Sequence, residues 1–486
     1  MFNTSLQKFS SRPQLAMFFL LLMSLWLTGC AALPSDVQRP VTTALEDNLD
    51  TRLGKIVAAR AAAASTRNDS GFALVGNAEL AFTSRMTLIR AAEKTLDLQY
   101  YAVHADDTTD RLLDALREAA ARGVRVRILL DDFNTAGKDA QVLRLAFEKN
   151  IDMRLFNPLP SNRSSATWRI ISSLSDAARL QRRMHNKIFV ADNAVAITGG
   201  RNLGDTYFGQ SDGVNFVDID VLAAGRIARD LSRSFDQYWN NPLAYPVQSL
   251  MTVDDLERLK PPAAAQTANF GENRPPTAAP TAGEVLNKTT LTRVAVNPAG
   301  LSTTIAALPD STNLQLLNWT WAASTMLVDK PSKIAEDADT AEISNDTVVD
   351  GLLSLMSSAK TDLLVVSPYF VPGAKMMRQF EAIRNRGVRI RVLTNSLASN
   401  DAVAAHAGYA RYREGLLAMG IEIYEMRSEQ RGTVSRFGAG TGSAGGSSGA
   451  SRASLHAKAV VVDSRLLVVG SMNLDCALNC KIAKLL

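Results

Sequence analysis

Two short stretches of the chain carry the residue types that chemistry on a phosphate ester would need. His185 and Lys187 stand two positions apart in the first stretch, and His456 and Lys458 have the same spacing in the second. Residues two apart in an extended chain point to the same face, so each imidazole would lie beside an ammonium group. The chain contains four histidines, and two of them open matching stretches, which indicates an internal duplication that builds one paired site.

The matching stretches, 184–202 and 455–473, share more than their histidines. Each continues to an aspartate, Asp192 or Asp463, whose opposite strand parity predicts that it stabilises the fold and does not contact a ligand. Each stretch then reaches a Gly-Gly or Gly-Ser turn, which allows the backbone to approach a bound group closely. We expect phosphate oxygens to be bound by these turns and by the asparagine two positions on, that is, by Gly200, Asn202, Ser471 and Asn473.

Two histidines, two lysines and two asparagines around one point, without an acidic metal cage, describe a cradle for a phosphodiester. The lysines and asparagines would stabilise the negative charge that develops in the transition state. With a reference pKa of about 6.5, one imidazole can attack phosphorus while the other protonates the leaving alcohol. The reaction would divide into two displacements through a phosphohistidine, and water or a second alcohol would take the phosphoryl group. These residues leave open which histidine is the nucleophile.

The elements that must position these residues alternate between helical and strand patterns. Apolar residues at helical spacing predict helices at 78–95 and 109–122, and β-rich runs predict strands at 96–103 and 124–130. A further helix is expected up to residue 149, followed by a strand at 153–156. The same order returns later as helix 348–360, strand 362–366, helix 374–386, strand 387–393, helix 402–419 and strand 421–424.

The fold class expected from this alternation is α/β, with two similar α/β/α sandwich halves and the active site at their interface. Residues 256–345 would be either an excursion that covers the sheet or packs across both halves, or a substrate-binding segment. The glycine-rich run 438–450 would be a mobile lid or a solvated filler. The predicted segments are a signal peptide (1–29), a tether (30–70), a first domain (71–255), the excursion (256–345) and a second domain (346–486).

The N-terminus has the pattern of a bacterial secretion signal. Lys8 and Arg12 precede an apolar run at 16–27, which is too short to span a bilayer comfortably. The run leads to Leu-Thr-Gly-Cys at 27–30, which resembles a lipobox, so we expect Cys30 to be diacylated and stably anchored. Because Ala31 follows, a Gram-negative host would keep this lipoprotein on the periplasmic side and favour the outer membrane. An uncleaved signal anchor and a plain secretory signal are the alternatives.

Charge and cysteine content exclude several classes of protein. The formal net charge of +5, with no block of like charge, does not support nucleic acid as a partner. Apart from Cys30, the only cysteines are Cys476 and Cys480, whose spacing suits one helix face better than a disulfide. A two-cysteine pair without a nearby histidine is also a poor metal site. We therefore expect neither a structural disulfide nor zinc.

The paired His-x-Lys-x4-Asp motif resembles the signature of the phospholipase D superfamily, and the likeness runs from about residue 78 to 473. Within it, the chain is similar to the bacterial cardiolipin synthase C group. The resemblance implies transfer of a phosphatidyl group through a histidine to a glycerol hydroxyl of phosphatidylglycerol, without a cofactor or metal. The stretches that carry it are 97–101, 122–132, 199–205 with Tyr207 and Phe208, 218–221 and 406–410.

The resemblance also implies roles for individual residues. His185 is the expected nucleophile, His456 the expected acid, and Asp218 a carboxylate that orients a catalytic imidazole, although a loop aspartate of no special role would also fit. His104 is expected to be a bystander, and His406 is either a bystander or part of the cleft. The expected partners are phosphatidylglycerol, with phosphatidylethanolamine as a further candidate, and a membrane reached through lipidated Cys30. We expect a monomer.

Three other functions remain open at this point. One is a phospholipase D that uses water and releases phosphatidic acid, and another is a nuclease of the same superfamily. The third is an inactive lipid-binding protein, because the chain departs from the family pattern after Asp475 and has Lys484 where a glutamate is expected. From this departure we expect an atypical or truncated C-terminus that lacks a second orienting carboxylate.

Overall fold

The computed structural model describes residues 33–64, 69–159, 163, 179, 182–258, 317–335, 348–428 and 452–475. The predicted signal peptide, Cys30, most of the 256–345 excursion, the glycine-rich run 438–450, Cys476, Cys480 and Lys484 lie outside them. In the part of the chain that is described, no helix is both long enough and apolar enough to cross a bilayer.

The first half is built on a nine-stranded mixed sheet. Three neighbouring strands near one edge of the sheet are parallel, and all other neighbouring strands pair in antiparallel. From edge to edge the order is β10-β1-β8-β6-β5-β2-β3-β4-β9. The strands of this half are β1 (Ser70–Val75), β2 (Thr95–Tyr100), β3 (Arg125–Asp131), β4 (Ile151–Phe156), β5 (Ile188–Ala191), β6 (Val195–Gly199), β7 (Val214–Val217, outside the sheet), β8 (Asp220–Gly225), β9 (Ala244–Pro246) and β10 (Thr320–Trp321).

Helices cover this sheet, and their first turns have the expected caps. The side chain of Asn77 accepts a hydrogen bond from Leu80 N, and that of Asp106 accepts one from Thr109 N. The helices are α1 (Arg52–Ala63), α2 (Ala78–Ala91), α3 (Asp107–Ala121), α4 (Arg226–Trp239) and α5 (Val253–Arg258).

The helix expected up to residue 149 is present, but it is not an α-helix. Gly137–Phe147 instead forms a 3-10 helix. Two buried pairs, Val142 with Leu145 and Leu143 with Ala146, recur at a spacing of three. That spacing matches three residues per turn, so the tighter helix turns both pairs toward the core.

The second half repeats the topology of the first on a smaller scale. Its five-stranded sheet has the order β13-β12-β11-β15-β16, in which β11, β12 and β13 are parallel and β15 and β16 are antiparallel, as β2-β3-β4 and β5-β6 are in the first half. The predicted duplication and α/β class are thus confirmed. The excursion contributes α6 (Ser332–Ala335). The elements of the second half are α7 (Val348–Ser357), β11 (Asp362–Val366), α8 (Gly373–Asn385), β12 (Arg389–Asn395), α9 (Val403–Ala418), β13 (Glu422–Met426), β14 (Arg452–Leu455), β15 (Ala459–Val462) and β16 (Leu466–Val469).

A two-stranded ladder joins the halves beside the motifs. β14 of the second half pairs in parallel with β7 of the first, with Leu455 opposite Val217. The Val217 carbonyl then accepts hydrogen bonds from the backbone N–H of His456 at 2.8 Å and of Ala457 at 3.0 Å. This ladder brings the second motif to the first half.

The described part of the excursion, residues 317–335, packs across both halves. Trp319 and Trp321 contact the first core, and Leu327 contacts the second. Asp329 lies between them, since its carbonyl accepts a bond from the Tyr238 hydroxyl at 2.6 Å and its carboxylate one from the backbone of α7 at 3.1 Å. These residues therefore connect the two domains.

Candidate active site

Both motif histidines lie at the junction of the halves, in extended chain just outside the strands. His185 and Lys187 precede β5, and His456 and Lys458 lie between β14 and β15. They occupy the end of each sheet at which the parallel strands finish, because β5 and β15 run antiparallel to β2 and β11. The carboxyl ends of parallel strands are where open α/β sheets place their ligand sites.

Each histidine is held by a residue of the other half. His185 Nδ1 lies 3.0 Å from the carbonyl oxygen of Ser471, and His456 Nδ1 lies 2.5 Å from Asp218 Oδ2. A carbonyl oxygen and a carboxylate only accept hydrogen bonds, so each bond places a proton on Nδ1. In the neutral rings the reactive lone pair is then on Nε2. Asp218, predicted to orient a catalytic imidazole, lies against the His456 ring, and each imidazole has its Nδ1 partner in the opposite half.

The two lysines lie buried beside their histidines. Lys187 Nζ is 3.3 Å from His185 Nδ1 and donates to the His185 carbonyl at 3.0 Å. Lys458 Nζ donates to the carbonyl of His456. Each ammonium group thus lies beside the histidine of its own motif. A phosphate bound at the two rings would therefore be close to two positive charges.

Burial and these charges set the resting protonation state. Burial and the nearby charge of Lys458 together lower the pKa of His456 to about 4, against the opposing effect of Asp218. Burial raises the pKa of Asp218, but the charges of His456 and Lys458 outweigh it and hold that pKa well below its usual value. Burial also lowers the pKa of Lys458, to about 8. At neutral pH the pair is therefore an aspartate beside a neutral imidazole.

The position of Asp218 depends on a glycine. A Cβ on Gly200 would lie 2.1 Å from Asp218 Oδ1, so any side chain there would displace the carboxylate. Gly200 was predicted to bind phosphate; in the structure its lack of a side chain makes room for Asp218. Arg201 Nη2 donates to the Asp218 carbonyl at 2.5 Å and fixes the same segment.

Behind this segment lies a buried ionic cluster that sequence reasoning missed. Asp220 is 2.9 Å from Arg85 Nη2 and 3.4 Å from Arg201 Nη1. Because these partners come from α2, the β6 turn and β8, the spacing of residues along the chain gives no sign of the cluster. Arg201 and Asp220 lie in the stretches 199–205 and 218–221, which sequence analysis used only as evidence of the family resemblance.

Aromatic rings surround both imidazoles. Tyr101 lies 4.7 Å from the His185 ring, and Tyr207 and Phe216 lie 5.3 Å and 4.9 Å from the His456 ring, measured between centroids. Asn202, predicted to bind phosphate, instead donates to the Tyr207 hydroxyl at 2.9 Å and accepts from Ala102 N at 3.2 Å. Its side chain therefore positions the ring that packs on His456.

Of the other predicted phosphate ligands, Ser471 contributes its carbonyl to His185. Asn473 is half-buried two positions later on the same turn. Both residues lie at the junction of the halves.

The motif aspartates, Asp192 and Asp463, follow β5 and β15, at the ends of these strands opposite to the histidines. The carboxylate of Asp192 accepts hydrogen bonds from the backbone N–H groups of residues 93–95 at 2.8 to 2.9 Å. Asp463 does the same for residues 360–362 at 2.8 to 3.1 Å. Both carboxylates therefore tie the start of the neighbouring strand, which is the structural role that strand parity predicts for them.

The two histidines outside the motifs, His104 and His406, have different aromatic partners. His104 Nδ1 is 2.9 Å from Asp139 Oδ2, and its ring stacks on Tyr207 with centroids 6.3 Å apart. His406 lies on α9 and packs edge-on against Tyr409. Among the described residues, no group of three or more His, Cys, Asp or Glu side chains is arranged to hold a metal ion.

Comparison with known proteins shows the family to which the chain belongs. The family described as cardiolipin synthase, PLD-like domain, matches residues 86–239 and 352–479, one segment in each half. Cardiolipin synthase C of Escherichia coli (strain K12) is 37% identical over 401 residues, which cover 81% of this chain and 76% of that protein. The chain belongs to the phospholipase D superfamily. An uncharacterized protein of Helicobacter pylori (strain ATCC 700392 / 26695) is 30% identical over 460 residues, 94% of this chain and 83% of that one.

One solved structure supports the fold of this superfamily member. The crystal structure of phosphatidylserine synthase from Haemophilus influenzae Rd KW20 aligns with a TM-score of 0.52 at 12% identity, covering 88% of this chain and 85% of that chain. At this identity the likeness concerns the fold alone.

Proposed function

We propose that this protein is a phosphatidyltransferase that forms cardiolipin by transfer through a phosphohistidine. The observation that carries the proposal is the reciprocal arrangement of the histidines, in which each half orients the imidazole of the other. A relative at 37% identity is named cardiolipin synthase C, and this supports a phospholipid as the substrate. The two lysines beside the rings provide the positive charge that a phosphodiester needs in its transition state.

In the first step, Nε2 of His185 attacks the phosphorus of a phospholipid. A P–N bond forms, the P–O bond to the headgroup alcohol breaks, and the His456 imidazolium gives its proton to the departing oxygen. In the second step, His456 takes the proton of a phosphatidylglycerol hydroxyl, whose oxygen attacks phosphorus and releases His185. The product is cardiolipin, and both histidines return to their starting state.

The surroundings of the two rings support this order. His456 donates to a carboxylate, which stabilises the imidazolium that a general acid must pass through, whereas His185 donates to an uncharged carbonyl. Burial and the charges of Lys458 and Lys187 lower the pKa of His456. An anionic phosphodiester between the lysines raises this pKa, so that proton uptake accompanies substrate binding.

We also propose that Cys30 carries the lipid anchor and that the domains face the periplasm, on the outer membrane in a Gram-negative host. The support is the lipobox-like sequence at 27–30. The backbone of Thr42 and Ala44 hydrogen-bonds to residues at α4 and to the buried Arg127. The stretch between Cys30 and Thr42 then separates the anchor from the folded domain. Labelling with a fatty-acid analogue, lost in Cys30→Ser, would test this.

The proposal is tested by expressing the full chain in bacteria that lack cardiolipin and measuring their lipids by mass spectrometry. Cardiolipin should appear with the wild-type chain and with the control His406→Ala, but not with His185→Ala or His456→Ala. Phosphatidic acid with free headgroup alcohol, appearing in place of cardiolipin, would replace transfer by hydrolysis. Unchanged lipids at normal protein levels would refute the proposal.

A further inference from the structure

Two exposed aliphatic side chains mark the loop between β12 and α9. Leu397 is 61% exposed and Val403, the first residue of α9, is 69% exposed. Single exposed apolar residues are common on protein surfaces and need no explanation by themselves. The position of this pair, at the catalytic end of the second sheet, is what gives it meaning.

The loop, defined as residues 396–403, borders the active site. It begins after Asn395, whose side chain exchanges hydrogen bonds of 2.9 and 2.8 Å with the backbone of Leu455, the residue before His456. Within the loop, both Asp401 carboxylate oxygens accept a bond from the Tyr369 hydroxyl at 2.7 Å. The negative charge of Asp401 is also close enough to act on the buried Lys458. Leu397 and Val403 therefore lie on either side of a carboxylate that is near the second motif.

Hydrogen bonds fix the base of the loop. Ser399 Oγ lies 3.0 Å from Asn395 Oδ1 and donates to the Met426 carbonyl at 2.9 Å. Arg452 donates to the Ala398 carbonyl at 2.6 Å, and the Asn400 side chain accepts from the backbone of residue 402 at 2.8 Å. These hydrogen bonds hold the loop backbone in one conformation, with Leu397 and Val403 exposed.

We infer that Leu397 and Val403 insert into the surface of a phospholipid bilayer and seat the cleft on it. This rests on the proposed function, because the phosphodiester of a membrane lipid lies at the headgroup level, just above the acyl chains. Apolar side chains at the rim then reach the boundary between headgroups and acyl chains while the cleft meets the phosphate. Tyr369, with a hydroxyl on Asp401 and an apolar ring, suits the same interface.

The test compares two physical forms of one substrate. Leu397→Asp and Val403→Asp should each lower the initial rate on phosphatidylglycerol vesicles by about tenfold or more, because a charge replaces an inserted side chain. Their rates on monomeric dihexanoyl phosphatidylglycerol should equal that of the wild type. The matched control is Leu417→Asp, which is 54% exposed and lies on the same helix about 21 Å from Val403. Its rates should not change.

A second measurement reads insertion itself. In the full chain that carries Leu397→Trp, phospholipid vesicles brominated in the upper acyl chain should quench the fluorescence of the added tryptophan. In the control Leu417→Trp, the fluorescence of the added tryptophan should stay unquenched. A wild type inactive on both substrate forms would sink the proposed function. If the wild type is active but Leu397→Asp and Val403→Asp keep their rates on vesicles, this inference alone is overturned. The same holds if the wild type is active and Leu397→Trp is not quenched. A change confined to oligomeric state would assign the loop to a second copy and also overturn it.

Discussion

Replacing Asp218 with asparagine tests the assigned roles most finely. The carboxylate lies 2.5 Å from His456 Nδ1, both groups are buried, and asparagine nearly conserves the shape while removing the charge. The imidazolium of the transition state would lose its counterion, and Lys187 and Lys458 would oppose protonation without compensation. General acid catalysis contributes about 10² to 10⁴ in rate, so kcat/KM for a natural phospholipid should fall within that range.

The assay compares two leaving groups on the same phosphatidyl donor. A glycerol or ethanolamine alkoxide needs a proton to depart, whereas p-nitrophenolate does not. With the p-nitrophenyl ester the loss in kcat/KM caused by Asp218→Asn should shrink to about tenfold or less, since the missing proton is no longer required. His185→Ala should be inactive with both donors. The control Asp212→Asn makes the same charge change on an exposed residue six positions away and should match the wild type.

Two results would refute this reasoning. An equal loss with both leaving groups would mean that His456 does not protonate the leaving oxygen in the first step. A wild-type rate for Asp218→Asn with the natural lipid would mean that the short contact with His456 has no catalytic consequence. Circular dichroism and thermal unfolding of the variant would separate either result from a misfolded protein.

Three further predictions concern the surroundings of the site. Gly200→Ala should lower kcat/KM as Asp218→Asn does, because the new Cβ would lie 2.1 Å from the carboxylate, whereas Gly76→Ala, with open space around it, should be neutral. Wild-type kcat/KM should fall more steeply above about pH 8, as buried Lys458 loses its proton, and a steeper limb that Lys458→Arg leaves in place would contradict this. Asp192→Asn should lower the free energy of unfolding by about 1–3 kcal/mol, because the carboxylate charge and the bond from Glu93 N are lost. The folded fraction should keep the wild-type kcat, and a selective loss of kcat would disprove the structural role.

Repetition in the sequence predicted the fold well. Helical and strand patterns recur in the same order in both halves, and the sheets show that order because local periodicity and buried faces decide these elements. The parity rule placed Asp192 and Asp463 away from the rings for the same local reason. The 3-10 helix at 137–147 was missed because spacings of three and of four both occur in that stretch.

Contacts that are distant in the sequence could not be derived from it. His456 meets Asp218 across 238 positions, and His185 meets Ser471 across 286, through a ladder between β7 and β14 that no local pattern announces. Asn202 was assigned to phosphate from its place after a turn, whereas its partner in the fold is the Tyr207 hydroxyl. These contacts arise from how the halves pack, which residue spacing does not encode.

The central claim is that one site, shared by both halves, passes a phosphatidyl group through His185 and needs His456 to release it. Its most direct test is capture of the intermediate. The full chain and its His456→Gln variant would be mixed with dihexanoyl phosphatidyl p-nitrophenol, quenched in base and digested for mass spectrometry. The account predicts an acid-labile phosphatidyl group on the peptide that contains residue 185, transient in the wild type and accumulating in the variant. A label on the peptide around residue 456, or product formation without any labelled peptide, would contradict it.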